Sequence, residues 1–221
     1  TRQSNCRRYC KRLRLDATTT AKVKELLDIA SSDTTHDAVI GRLVTAVSQR
    51  IESFIDRPLK QEARTEEYDL RPRQRVIFLK AYPLPAQTSI ASIKIATDWK
   101  FSTTSAVNSD DYHVDLTTGA IHLNYYPLQS YLGNNMLTAP GAVQVVYTGG
   151  FAETTDGIII NYPAIAEACA TQVIAMWRRR DQPHIKTTDI GDYASTVEGP
   201  LSFLPDVREA LIPYRRMRFG V

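Results

Sequence analysis

The feature that most constrains this chain is a double change of hydrophobic period. Val39, Ile40, Leu43, Val44, Val47, Ile51, Phe54 and Ile55 recur at three- and four-residue steps over more than four turns. Such a stripe specifies one buried face of a long helix. Asp56-Arg57-Pro58 ends it, since proline disfavours helix in the residue before it. From residue 60 to 150 the pattern turns to short strands. Helical period returns at Pro163, where Ile165, Ala166, Cys169, Ala170, Val173, Ile174 and Trp177 form a second stripe. Helices, then strands, then helices is an α+β layout: a helical bundle core from N- and C-terminal helices, with a central antiparallel β insertion.

Within that frame the sequence predicts a first helix over Thr20 to Ala30, capped by the threonines before it. Thr34 and Asp37 stand in a capping-box-like arrangement ahead of the long helix. Strands are expected at Arg64 to Leu70, Val76 to Lys80, Ile90 to Ile95, Tyr112 to Leu116, Ala120 to Tyr125 and Ala142 to Tyr147. Gly119 supplies the positive φ of a tight hairpin turn. Residues 181 to 204, polar and punctuated by Gly and Pro, read as a loop before a short helix beginning at Pro205. The expected organisation is a basic arm at 1–18, a helical core at 19–59 and 161–221 ending in a docking tail, and a β insertion at 60–160.

With 43% hydrophobic and 23% charged residues, the 221-residue chain is ordinary for a globular domain, which excludes wholesale disorder. The 27 Lys+Arg against 24 Asp+Glu leave a net +3, too small to imply a nucleic-acid partner by itself. The positive charge gathers at the ends, in Arg2, Arg7, Arg8, Lys11, Arg12 and Arg14 and again in Arg215, Arg216 and Arg218. Cys6, Cys10 and Cys169 make no disulfide framework, so reduced thiols and synthesis in the cytoplasm are expected. No apolar run approaches the roughly 18 residues needed to cross a bilayer, and no membrane partner is expected.

No catalytic kit stands out, and neither a cofactor nor a metal is expected. Gly149-Gly150 lacks the Lys-Ser or Lys-Thr of a phosphate loop. Cys6 and Cys10 lack further zinc ligands nearby. Asp111, His113 and Asp115 would share one strand face, with His122 on the partner strand, and could hold a divalent metal. The plainer reading, the polar outer face of a hairpin, is favoured. Arg178, Arg179 and Arg180 suit a helix C-terminus, or else phosphate. Arg215, Arg216 and Arg218, interleaved with Tyr214, Met217 and Phe219, read as a docking strip, because Arg and aromatic side chains dominate interface hot spots. Removing residues 214–221 is expected to leave the domain folded.

Taken in order, these segments resemble the head-to-tail connector (adaptor) proteins of tailed bacteriophages. The resemblance is carried by Ile51 through Pro58, Thr65 through Asp69, Phe78 through Leu84, and Ile90 through Ile93. Tyr112 through Asp115, Gly119 through Ile121, Val146 through Phe151, the helix at Pro163, and Leu204 through Arg216 complete it. It spans roughly residues 20–216; the basic arm and Phe101 to Ser109 have no counterpart. The resemblance implies a structural virion protein, not an enzyme. It would form a ring, usually a dodecamer, at the portal vertex, with its C-terminal segment docked on the portal protein. A distal neck or tail-completion protein would bind the opposite side, and DNA would pass through the lumen without sequence specificity. The alternative is a sequence-independent DNA-binding protein using Arg7, Arg8 and Arg12 of the arm together with Arg178 to Arg180.

Overall fold

The computed structural model describes residues 14–71, 74–96, 101, 106–124, 139–180, 187–190, 193–196 and 202–216. Helix α1 (Thr20–Leu26) starts where Thr19 Oγ1 accepts the Lys22 N–H at 3.2 Å, the expected threonine cap. It stops short of Ala30 because Asp28 turns to a left-handed φ of 57°. Lys24 then folds over the turn. Its buried ammonium donates to the carbonyls of Ser31 (3.1 Å) and Asp33 (2.7 Å) and pairs with Asp37 Oδ1 at 2.9 Å. That pairing replaces the expected capping box: α2 (Asp37–Ile55) begins after His36 with no side-chain cap. A buried cation outcompetes a neutral backbone donor for the carboxylate, since charge-assisted bonds are the stronger. Lys24→Met should therefore cost about 2 kcal/mol in urea denaturation, from unpairing two carbonyls and a carboxylate; no change would show that the turn holds without the ammonium.

The inward face of α2 is Ile40, Val44, Val47, Ile51 and Ile55. It packs on α4 (Pro163–Arg179), whose inward residues Ala166, Cys169, Ala170 and Val173 are small enough for a close approach. Ser48 sits on the same α2 face. Its hydroxyl donates to Val44 O (2.8 Å), accepts from Ala17 N–H (2.9 Å) and lies 3.6 Å from Cys169 Sγ. The α5 helix (Pro205–Leu211) adds Val207 and Leu211.

A further helix, α3 (Thr155–Asn161), is absent from the sequence reading. Thr154 caps it by accepting from Gly157 N–H at 3.2 Å. The chain bends by 112° between α3 and α4. Seven residues are too few to show a periodic stripe. Phe151, Ala152 and Ile158 pack in the helical cluster, although they lie within the 60–160 segment. Among the described residues no single helix is long and apolar enough to cross a membrane.

The strands form a second hydrophobic cluster. One antiparallel sheet has the order β1 (Glu62–Leu70), β6 (Ala139–Gly149), β3 (Ile90–Ile95). The other has the order β2 (Val76–Phe78), β5 (Ala120–Leu123), β4 (Tyr112–Asp115). Ile93, Ile95, Val143, Val145 and Tyr147 from the first meet Ile77, Val114, Ile121 and Leu123 from the second. The shared face of Ile93 and Ile95 is as the alternation predicts, and Gly119 has φ 67°. The segment read as a loop contains a hairpin, β7 (Thr187–Ile190) with β8 (Tyr193–Thr196). Its signal was Gly191-Asp192 between β-prone residues, outweighed by the polar composition around it. The architecture is α+β, as expected.

Candidate docking site

The helical cluster and the strand cluster meet at a seam built around one residue. After Ile55, Asp56 turns left-handed (φ 55°, ψ 34°) and directs Arg57 back between the two units. Leu59 N–H donates to Glu52 Oε1 at 2.8 Å, which holds the turn against α2. Arg57 is only 8% exposed. Its Nε and Nη2 donate to Tyr82 O at 3.0 and 2.6 Å, and its Nη1 donates to Tyr214 O at 3.0 Å. The guanidinium carbon lies 3.8 Å from the centroid of the Tyr82 ring and 4.4 Å from that of Phe151. Burial lowers its pKa to about 10, so the group is still charged at neutral pH and bonds to carbonyls as a cation.

The C-terminal segment is fastened at the same place. Tyr214 packs edge-on to Phe151 (6.1 Å) and Tyr162 (6.4 Å), and those two rings meet at 4.9 Å. Arg216 N–H donates to Ile55 O at 2.8 Å, satisfying a carbonyl that the end of α2 leaves without a helical partner. The Arg215 guanidinium lies 5.6 Å from the Phe54 ring. Tyr214 and Arg216 are thus half-buried parts of the fold. A cut before Tyr214 would remove these contacts, so the deletion of 214–221 that is expected to leave the domain folded should also lower its stability. Met217, Arg218 and Phe219 lie outside the described residues, directly beyond this anchor.

The other expected site residues are not gathered here. Arg178 is exposed and Arg179 half-exposed at the end of α4. Arg180 stacks on Trp177 at 3.7 Å, and Trp177 meets His36 edge-on at 5.1 Å, so one of the three arginines helps close the helical unit. Arg7, Arg8 and Arg12, with Cys6 and Cys10, lie outside the described residues. Asp111 ends a 3₁₀ turn instead of standing on the strand with His113. Asp115 accepts from the backbone of Thr117 and Thr118 and from Thr118 Oγ1 (2.7 Å), bonds that lower its pKa and close the hairpin. Among the described residues no group of three or more His, Cys, Asp or Glu is placed to hold a metal ion.

Cys169 is wholly buried, and burial pushes its thiol from 9.0 up to about 12. The stability this proton lends is whole below the unfolded thiol's pKa and is lost as pH rises toward the folded value, because only the unfolded chain ionises in between. Urea midpoints should therefore fall between about pH 9 and about pH 11, a window in whose upper half the hydroxyls of buried Tyr147 and half-buried Tyr68, also raised by desolvation, act in the same direction. A midpoint flat across that window would contradict the burial of these groups.

From the sequence alone Arg57 reads only as part of a helix stop. The available signal was an arginine beside proline at a helix end, and it carries no indication of the partners.

The seam is a junction whose groups hold a chain segment in place. The model of the head completion protein family matches residues 16–217, and the chain belongs to that family. No curated protein matches it by sequence. Among solved structures, the fold is similar to a chain in the neck of a native GTA particle computed with C12 symmetry (TM-score 0.50, 14% identity, covering 90% of this chain and 91% of that one). It is similar too to a chain in the neck of an empty GTA particle computed with C6 symmetry (TM-score 0.52, 14% identity, 90% of each). A third likeness is to a chain in the virion of a native gene transfer agent particle (TM-score 0.51, 14% identity, 92% of this chain and 94% of that one).

Proposed function

We propose that this chain is a structural subunit of a virion neck, a head-to-tail adaptor that assembles into a ring on the portal. The observation that carries the reading is the family match across residues 16–217, nearly the whole chain. The likeness in fold to GTA neck chains, one in a particle computed with C12 symmetry, supports both the location and a dodecameric ring. A closed ring needs two different, mutually matching surfaces on each subunit. The tail, from Tyr214, Arg215 and Arg216 through Met217, Arg218 and Phe219, is the portal-docking element: its root, Tyr214 to Arg216, is held in the fold by Arg57 and Ile55 and presents Met217, Arg218 and Phe219 to the portal. The opposite side of the ring receives a distal neck or tail-completion protein, and DNA passes through the lumen without sequence-specific contacts. The role uses no cofactor and no catalytic step.

Negative-stain images of the purified protein mixed with its portal test this directly, and a ring added at one end of the portal is the expected result. The DNA-binding alternative has less support, because Arg180 is engaged with Trp177 and cations at a helix C-terminus are accounted for by the helix dipole.

A further inference from the structure

Arg57 joins three parts of the chain that are far apart in sequence. It stands on the turn after α2, it grips Tyr82 O on the strand side, and it grips Tyr214 O at the root of the C-terminal segment. Its Tyr82 contacts are doubled, two N–H donors on one carbonyl with the ring of the same residue against the guanidinium. Beside Tyr82, Pro83 O accepts from Gly150 N–H at 3.1 Å, and Leu84 N–H donates to Leu116 O at 2.9 Å. These bonds tie the Tyr82 segment to the end of β6 and to the β4–β5 hairpin. On the other side, Arg216 N–H secures the root to Ile55 O. The guanidinium is planar and its donors are fixed in a fork. Moving Tyr214 O therefore requires turning the fork, which disturbs both bonds to Tyr82, or leaving a buried N–H unpaired.

We propose that Arg57 is a positioning residue that couples the root of the C-terminal segment to the strand unit, so that a load on the tail is felt at Tyr82 to Leu84 and at Gly150. The functional use of this coupling rests on the reading of the tail as a docking segment; the coupling itself is a property of the free chain. Under that reading, a partner holding the residues beyond Arg216 would also set the orientation of the strand unit relative to the helices.

The test uses full-length protein and hydrogen exchange of the Gly150 and Leu84 amides. Arg216→Pro removes the N–H that fastens the root together with the side chain, and Arg216→Ala, which keeps that N–H, is its control. Arg215 is already extended (φ −68°, ψ 139°), the conformation that a following proline demands. Arg57→Lys keeps the charge but cannot span both carbonyls. The expected result is that Arg216→Pro speeds exchange at Gly150 about tenfold in the parent, and less than about twofold when Arg57→Lys is already present. Independent effects that multiply in the double variant, or no change at Gly150 in Arg216→Pro, would overturn the proposal. Thermal midpoints of all these proteins identify global unfolding. If Arg57→Lys does not fold, Arg57→Gln replaces it, since one amide likewise cannot reach both carbonyls. Failure to bind a portal would leave this coupling standing and remove the docking reading alone.

Discussion

Cutting the chain after Pro213 is expected to lower the thermal midpoint by about 10 °C, whereas a cut after Arg216 should leave it within about 1 °C of the parent. The first cut removes the Tyr214 carbonyl that receives Arg57 Nη1 and the Arg216 N–H that satisfies Ile55 O. It also removes the Tyr214 ring from the pocket formed with Phe151 and Tyr162. A hydrogen bond from a buried charged group and a large aromatic each contribute about 2 kcal/mol, so the combined loss is about 4 kcal/mol. The second cut removes none of these. Differential scanning calorimetry on the two truncations decides the matter, and equal midpoints would mean that the C-terminal root is not part of the fold.

The other large effect is expected at Gly150. This residue has φ 137°, a conformation that L side chains rarely adopt. A Cβ there would come within 2.4 Å of Lys60 O and 2.8 Å of Gln61 Cα, both on the main chain and so unable to rotate away. Its neighbour Gly149 is as tight, with Ala81 O 2.3 Å from an added Cβ. The pair is where the end of β6 passes between the chain leaving α2 and the chain entering Tyr82. Gly150→Ala should cost about 4 kcal/mol, combining backbone strain with separation of the two passing segments. Urea denaturation would measure it, and a loss below about 1 kcal/mol would show that the seam has room to spare.

These two sites explain what was legible in the sequence and what was not. The faces of α2 and α4, the alternation of Ile93 and Ile95 and the turn at Gly119 are set by neighbours within a few residues, so periodicity and turn chemistry reveal them. The roles of Arg57, Gly150 and Tyr147 are set by partners many tens of residues away. Tyr147 read as one more strand residue. In the fold its hydroxyl donates to Glu66 Oε2 at 2.7 Å and accepts from Ala81 N–H at 2.9 Å. Gly149-Gly150 stands out in the sequence as a pair, but the only local pattern it can be compared with is a phosphate loop, which it does not match. Its service is to let two backbones cross. Asp37 shows local grammar being overruled, for a capping position was given up to a buried lysine from another helix. The tail was recognised as distinct by its Arg and aromatic residues. The anchoring of Arg216 N–H on Ile55 O is encoded by no local pattern.

The central claim is that the residues beyond Arg216 dock this subunit on a portal while the fold holds their root. Binding of the full-length protein and of the version cut after Arg216 to the assembled portal, followed by co-sedimentation with negative-stain imaging of the pellet, tests it most directly. The account predicts that the full chain adds a ring to the portal and that the shortened chain, folded to the same midpoint, does not. Equal rings from both proteins would contradict the role of the tail, and no ring from either would contradict the adaptor reading itself.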